Sequence, residues 1–99
     1  MGSPSLKSAN GVYVGTGVAF DIALDFTPTR VKIYSATENS MSIKTDRMVG
    51  VNFLLADLAA GTVTKVTANG ITLGVRKITI GTDADINTNT SEYYWDADE

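Results

Sequence analysis

Residues 83–92 are the part of the chain whose residue types and spacing most resemble a binding site. Oxygen-bearing side chains recur at alternate positions from Asp83 onward, as in calcium-binding loops. An EF-hand loop needs glycine at its sixth position and a bidentate glutamate at its twelfth, but counting from Asp83 gives Thr88 and Tyr94. We therefore predict no metal site and expect a solvated turn whose Asp and Asn side chains bond their own backbone. An irregular oxygen cage for calcium stays open as an alternative.

Asp21 and Asp25 are the next candidates, because paired carboxylates hydrolyse glycosidic bonds when they lie about 5 to 9.5 Å apart. Four positions along an extended strand separate them by about 13 Å instead. The chain also has no Cys and no His. Their absence excludes Ser-His-Asp and Cys-His catalysis, a disulfide framework, zinc fingers and proton transfer by imidazole. We predict that the protein is not an enzyme and holds no cofactor.

The segment 11–17 contains three glycines, which could form a phosphate-binding loop if they opened a helix. The residues that follow alternate between apolar and polar, so the loop opens a strand instead. We expect a tight turn with a positive φ at one of the glycines and no phosphate site.

Length and composition fit one folded domain. The chain has 99 residues, of which 43% are hydrophobic and 19% are charged, enough for a single modest core. Its longest apolar stretch is far shorter than the roughly 18 residues that cross a bilayer, and its first residues lack the pattern of a secretory signal. Basic residues are scattered rather than clustered, so we predict no direct nucleic-acid contact and no membrane contact.

Short segments in which apolar and polar residues alternate, separated by Gly, Asn, Asp and Thr, predict the fold class. We predict an all-β protein, built as a small antiparallel β-sandwich or β-barrel with short turns. The clearest strand is 18–25, whose residues Val18, Phe20, Ile22 and Leu24 share one face and are expected in the core. Further strands are predicted at 30–35, 40–45, 62–67, 71–73, 76–80 and 93–95.

The apolar segment 48–60 fits a buried strand or a short helix, and we favour a strand followed by an irregular turn. Asn69 and Gly70 are typical of a hairpin turn. Val31 and Ile33 are expected to point inward, and 40–45 is expected to repeat the same pattern.

The chain divides into a flexible N-terminal arm, residues 1–10, and a single β domain, residues 11–99. The arm contains Gly and Pro breakers and several serines, and it has no periodicity. A second interpretation is that the arm docks on a neighbouring subunit through Leu6 and Lys7.

Candidate interface residues are apolar and aromatic side chains that a small core does not obviously need. Part of the apolar middle of the chain is expected to pack against another subunit, although core filling explains it equally well. Alternation places Tyr94 on the face opposite Tyr93 and Trp95, so at least one aromatic is core, and a partly exposed one suits a protein interface. The candidate interface residues are Leu6, Lys7, Met41, Ile43, Met48, Tyr93 and Trp95.

Four segments occur in an order that resembles small β-rich virion proteins of tailed bacteriophages and prophages. They are 13–17, 22–28 followed by Val31, 69–73, and 80–87 leading to Tyr93 and Tyr94. The similarity covers nearly the whole chain after Asn10. It implies a compact β module encoded among structural genes, with no catalytic residues.

The resemblance implies a capsid decoration or cement protein that binds the major capsid protein on the outer lattice. Such a protein is expected to act as a symmetric homo-oligomer, for example a trimer, whose repeated contacts give avidity. It is expected in the virion, after assembly in the bacterial host cytoplasm. The alternative is a receptor-binding module of a tail fibre or baseplate, in which exposed aromatics and the loops near Asn39, Asn69 and Asn89 recognise a host surface glycan.

Overall fold

The computed structural model describes residues 6–99, which form nine β-strands and one short helix. The strands are β1 (Ser8–Val14), β2 (Phe20–Ala23), β3 (Arg30–Ser35), β4 (Ser40–Thr45), β5 (Phe53–Asp57), β6 (Thr62–Val66), β7 (Ile71–Gly74), β8 (Lys77–Ile80) and β9 (Glu92–Asp98). The helix α1 (Ala84–Asn87) lies between β8 and β9. Neighbouring strands are antiparallel throughout these residues, which confirms the predicted all-β class.

The strands form two sheets that enclose one core. The large sheet has six strands in the order β1-β9-β3-β4-β5-β6, and the small sheet has three in the order β2-β8-β7. β9 lies between β1 and β3, although it is the last strand in the sequence. Of the two predicted architectures, sandwich and barrel, the two separate sheets match the small antiparallel sandwich.

The core lies between the inner face of the large sheet and the small sheet. Ile71, Ile78 and Ile80 from the small sheet are buried against Val31 and Ile33 from β3. Burial of these aliphatic side chains removes apolar surface from water, which is the main favourable term in folding. The prediction that Val31 and Ile33 point inward is confirmed.

The strand predicted at 18–25 is shorter in the structure. β2 covers four residues, and Val18 is 66% exposed instead of lying in the core. Gly17, with a φ of 76°, turns the chain just before it, and the Val18 carbonyl accepts a hydrogen bond from the Asn87 amide at 2.9 Å. The expected positive φ at one glycine of segment 11–17 is thereby confirmed, but residues 11–14 belong to β1, so the predicted turn is limited to the end of that segment.

Asn69 and Gly70 do not form a hairpin turn, so that prediction is wrong. They connect β6 in the large sheet to β7 in the small sheet, and the Gly70 carbonyl accepts a hydrogen bond from the Gly81 N–H at 2.7 Å. The hairpin of the small sheet turns at Val75 and Arg76 instead, between β7 and β8. Its first turn residue is apolar and therefore gives no turn signal in the sequence.

Helix α1 packs near β3 and β4 of the large sheet. Asp83 caps it, because its carboxylate accepts a hydrogen bond from the Asp85 N–H at 2.8 Å. Ile86 and Asn87 are completely buried, so the segment predicted as a solvated turn is packed into the fold. The Tyr13 hydroxyl donates to the Ile86 carbonyl at 2.6 Å and so fixes the helix against β1.

The predicted N-terminal arm is too long, because residues 8–10 belong to β1 and pair with β9. Lys7 is also tied to its own chain. Its N–H donates to the Glu99 carboxylate at 3.1 Å, its carbonyl accepts from the Glu99 N–H at 2.9 Å, and its ammonium lies 3.6 Å from the Asp25 carboxylate. Residues 1–5 of the predicted arm lie outside the described residues.

The β5–β6 hairpin extends beyond the area that the small sheet covers. The prediction of a strand followed by an irregular turn is confirmed for β5 and for residues 58–61, where the Asp57 carboxylate accepts hydrogen bonds from Ala59 and Ala60. The first part of the predicted segment, residues 48–52, is a loop in which Val49 is 78% exposed. β6 then returns along β5 and forms one edge of the large sheet. Its residues 62–65 are exposed on both faces, and β5 is the element that it mainly contacts.

Candidate functional site

The pattern of β4 is the reverse of the predicted one. Ser40, Ser42 and Lys44 point into the sandwich and are buried, while Met41 and Ile43 lie on the outer face and are half-buried. The register with β3 imposes this arrangement, since Ser42 and Lys44 lie opposite the two inward-pointing residues of that strand. Apolar side chains therefore point outward from a central strand of the large sheet.

Lys44 is only 2% exposed, and a buried ammonium group requires hydrogen-bond acceptors. Its Nζ atom donates to the backbone carbonyls of Met48 at 2.6 Å, Gly50 at 2.8 Å and Asn52 at 2.7 Å. All three donors of the ammonium are thus used. Burial lowers the pKa of Lys44 below its ordinary value. We conclude that Lys44 fixes the loop between β4 and β5 and is not presented at the surface.

An apolar row crosses all six strands on the outer face of the large sheet. Each member lies opposite the next in the strand register, so the row spans about 24 Å at the usual spacing of strands. Val12 is 54% exposed, Tyr94 51% and Val63 69%. From β1 to β6 the apolar row consists of Val12, Tyr94, Tyr34, Met41, Ala56 and Val63.

Tyr34 and Tyr94 lie side by side in the apolar row. The Tyr34 hydroxyl donates to the Asp96 carboxylate at 3.2 Å, and the Tyr94 hydroxyl donates to the Glu92 carboxylate at 2.5 Å. Partial burial and the charge of Asp96 raise the pKa of Tyr34, while the hydrogen bond to Glu92 and its charge raise the pKa of Tyr94. Both hydroxyls therefore act as donors at neutral pH and hold their rings on the outer face.

Charged side chains border the apolar row on one half of the outer face. Asp96 lies opposite Lys32, and Asp98 lies opposite Arg30, at the boundary of β9 and β3. Among the outward-pointing strand residues of β4, β5 and β6, Lys65 is the only charged one. The outer face thus combines a charged half on β9 and β3 with an apolar half on β4, β5 and β6.

The structure divides the predicted interface residues. Met41 and Ile43 lie together on the outer face. Tyr93 is completely buried and Trp95 packs against the core from the inner face, so neither forms an exposed interface and this prediction is corrected. The predicted separation of Tyr94 from its two neighbours is confirmed. Tyr94 is the outward residue, since it lies opposite Val12 in β1 and Tyr34 in β3.

The three other predicted residues are not part of the apolar row. Leu6 is exposed, and Lys7 makes the contacts with its own chain described above. Met48 is half-buried in the loop between β4 and β5, where its carbonyl accepts from Lys44. Two open clefts of about 180 and 410 Å³ adjoin this loop. Met48 lines both clefts, whereas Leu6 and Lys7 line neither of them.

Sequence reasoning misses Val12, Tyr34, Val63 and Tyr94. Each belongs to a different strand, and only the register of the large sheet places them side by side. The sequence does contain one usable signal. β4 alternates between serine and apolar residues, and such a strand can place either set inward when the polar set finds partners.

Within residues 6–99, no group of three or more acidic side chains could hold a metal ion. In the same part of the chain, no helix has the length and apolar character needed to cross a bilayer. Comparison of the chain with known protein families, with curated proteins and with solved structures found no match. The outer face of the large sheet is therefore the feature from which we argue a function.

Proposed function

We propose that the protein is a virion structural protein, not an enzyme, and that it decorates or cements the capsid by docking the outer face of its large sheet on the major capsid protein. The apolar row is the observation that carries this proposal. Single exposed apolar residues are common on protein surfaces, but a contiguous apolar band marks a surface that another molecule covers.

The arrangement of residue types on this face supports a protein partner. Interface centres are enriched in aromatic residues and methionine, and charged residues collect at the rim. Tyr34, Tyr94 and Met41 occupy the middle of the apolar row, while Asp96 and Lys32 lie beside it. The resemblance to small phage virion proteins supports the capsid as partner and the virion as location. Repeated docking on a lattice gives avidity even when each contact is weak.

Binding of the purified chain to capsids of the phage or prophage that encodes it tests the proposal. Val12→Asp places a carboxylate in the apolar row at an exposed position, so it should preserve the fold and weaken capsid binding about tenfold or more. Val75→Asp is the matched control, because Val75 is 79% exposed on the turn of the small sheet. Cosedimentation with capsids measures both variants.

Two results would contradict the proposal. If the wild-type chain does not cosediment with capsids, the major capsid protein is not its partner. If Val12→Asp binds as tightly as Val75→Asp, the outer face is not the docking surface.

The tyrosine pair favours a second candidate, a receptor-binding module of a tail fibre or baseplate that recognises a host surface glycan. Aromatic rings with polar groups beside them suit ligands that have both apolar and hydroxyl-bearing surfaces. Tyr34 and Tyr94 provide two adjacent exposed rings, and Asp96 and Glu92 provide carboxylates next to them. In a binding screen against host glycans, loss of a defined signal in Tyr94→Ala would favour this candidate over capsid decoration.

A further inference from the structure

The smaller cleft beside the loop between β4 and β5 adjoins the apolar half of the outer face. Leu54 lines this cleft, and it lies opposite Ile43 in β4 and Lys65 in β6. The cleft has a volume of about 180 Å³. Sites for small-molecule ligands usually measure roughly 300 to 1,000 Å³. The smaller cleft therefore suits a single residue of a partner that docks on the outer face.

The charged side chains that line the smaller cleft are both cations. Arg47 comes from the loop and Lys65 from β6, and both are exposed. Within residues 6–99 neither of them forms a salt bridge. Asp46, the neighbour of Arg47 in the sequence, lines the larger cleft instead. The smaller cleft therefore favours a negatively charged group.

The loop also directs backbone N–H groups outward. The carbonyls of Met48 and Gly50 accept hydrogen bonds from the buried Lys44 ammonium, so they point into the sandwich. In a trans peptide the N–H points away from the carbonyl, so the N–H groups of Val49 and Val51 point away from Lys44. In the described part of the chain, neither N–H has a backbone acceptor. Gly50 lies between them with a φ of 59°, and N–H groups next to a left-handed residue form a concave site for anions.

Lys44 makes this arrangement rigid before a partner binds. Its three hydrogen bonds to loop carbonyls hold the backbone in one conformation. A site that is already ordered loses less conformational entropy on binding. The remaining wall of the smaller cleft is apolar, and it includes Met48, Val49 and Leu54. Val49 is 78% exposed, so this wall is accessible to a partner.

We propose that the smaller cleft binds the apolar C-terminal residue of the partner chain that docks on the outer face. Arg47, Lys65 and the loop N–H groups hold its carboxylate, while its side chain packs on the apolar wall. Within the space of one residue, the cleft offers both positive charge and apolar surface. An apolar residue at a C-terminus has both matching groups, whereas the side chain of aspartate or glutamate supplies mainly the charge. The inference rests on the proposed function only for the identity of the partner.

NMR titration of the isotope-labelled full chain with N-acetyl-L-leucine tests the inference, because this compound is an isolated apolar C-terminal residue. We expect saturable shifts of the amide signals of Val49, Gly50 and Val51, with a dissociation constant on the order of 1 mM. N-acetyl-L-leucinamide lacks the carboxylate, and the α-amide of N-acetyl-L-glutamate has one only on its side chain. Both compounds should bind about tenfold more weakly or worse.

Arg47→Gln and Lys65→Gln each remove one positive charge from the smaller cleft. Both residues are exposed, so the variants should fold, and each should bind N-acetyl-L-leucine about fivefold more weakly than the wild type. Arg76→Gln is the matched control, because Arg76 is an exposed turn residue that lines neither cleft. Its affinity for N-acetyl-L-leucine should equal that of the wild type.

Four results would overturn the inference. They are the absence of saturable shifts with N-acetyl-L-leucine, equally tight binding of its amide, equally tight binding of the glutamate derivative, and an equal loss of affinity in Arg76→Gln and Arg47→Gln. The third result would indicate an acidic side chain as the occupant. No capsid is present in these titrations, so failure of carboxylate binding and failure of capsid binding are observed separately.

Discussion

The two faces of the large sheet are made by the same six strands and differ in what covers them. Except along β6, the inner face is covered by the small sheet and α1, and residues such as Ile33 and Phe53 are inaccessible to water. The outer face leaves the apolar row largely uncovered. In β4 the polar residues even lie on the buried side. Strand pairing thus decides which face of a strand is buried, and polar residues can lie on the buried face where they find hydrogen-bond partners.

The largest difference between the faces is expected at Phe53 and Leu54, which are neighbours in β5 on opposite faces. Phe53 is completely buried, so Phe53→Ala leaves a cavity and should lower the free energy of unfolding by about 4 kcal/mol. Leu54 is half-buried on the outer face, and Leu54→Ala should lower it by about 1 kcal/mol. Urea unfolding measures both. Equal losses would mean that the outer face is as buried as the inner face.

The next largest effect is expected at two lysines on opposite faces, Lys44 and Lys32. Lys44→Met removes the donors that three loop carbonyls use, and it should lower the free energy of unfolding by about 3 kcal/mol. Lys32→Met, on the outer face opposite Asp96, should change it by less than about 1 kcal/mol. Urea unfolding gives the stabilities, and hydrogen exchange in residues 46–52 reports on the loop. An unchanged loop in Lys44→Met would contradict its role as anchor.

Tyrosines on the two faces should differ in alkaline solution. Burial, and to a lesser extent the charge of Tyr93, raise the pKa of Tyr13 above its ordinary value of 10.0. The unfolded chain loses this proton first, so the associated stability is complete below pH 10 and is lost as pH rises further. Between about pH 10 and about pH 11, the free energy of unfolding of the wild type should fall by up to about 1.4 kcal/mol because of Tyr13. Tyr13→Phe should not show this decrease.

Urea unfolding at a series of pH values measures this dependence. Tyr94→Phe on the outer face is the control, because it keeps the contribution of Tyr13 and removes only that of Tyr94, whose pKa the hydrogen bond to Glu92 raises. The difference between the wild type and Tyr13→Phe gives the contribution of Tyr13 to the pH dependence, because both proteins contain Lys44. The lowered pKa of Lys44 acts in the opposite direction, because the unfolded chain then binds the additional proton below pH 10.5. If the pH dependence of Tyr13→Phe equals that of the wild type, Tyr13 is not protected by burial.

The smallest effect is expected within the inner face, at the cross-strand pair Ser35 and Ser40. The buried Ser40 hydroxyl has no hydrogen-bond partner in the described part of the chain, so Ser40→Ala should raise the free energy of unfolding by about 1 kcal/mol. The Ser35 hydroxyl accepts from the Glu38 N–H at 3.0 Å, and Ser35→Ala should lower it by a similar amount, about 1 kcal/mol. Thermal or urea unfolding distinguishes the two signs. A loss in both variants would show that Ser40 is satisfied.

Alternation in the sequence predicts the fold where a strand has one clearly apolar side. Val31 and Ile33 alternate with charged residues and tyrosine, and the structure buries them as expected. In β9 alternation groups Tyr93 with Trp95 and Ala97, and it groups Tyr94 with three acidic residues, so the sequence of the whole strand indicates that Tyr93 is the buried one. The stacking of Tyr93 on Tyr13, with ring centres 5.1 Å apart, is a contact between distant segments that the sequence does not reveal.

The candidate site is less predictable than the fold. Met41 and Ile43 are recognisable as surplus apolar residues, but the apolar row takes one residue from each of six strands and depends on five pairings. The burial of Lys44 depends on three carbonyls of a loop that follows it, and nothing in the composition of that loop indicates them. Register and loop conformation are tertiary properties, so local patterns do not encode them visibly.

The position of β9 between β1 and β3 affects how the protein is made on the ribosome. A nascent chain that lacks residues 92–98 cannot join β1 to the rest of the large sheet, because β9 supplies the pairing on both sides. It also lacks Tyr93 and Ala97, two fully buried members of the core. Folding is therefore completed only after these residues have emerged. The apolar row needs Tyr94 from the same strand, so nascent chains that lack residues 92–98 do not present it to a partner.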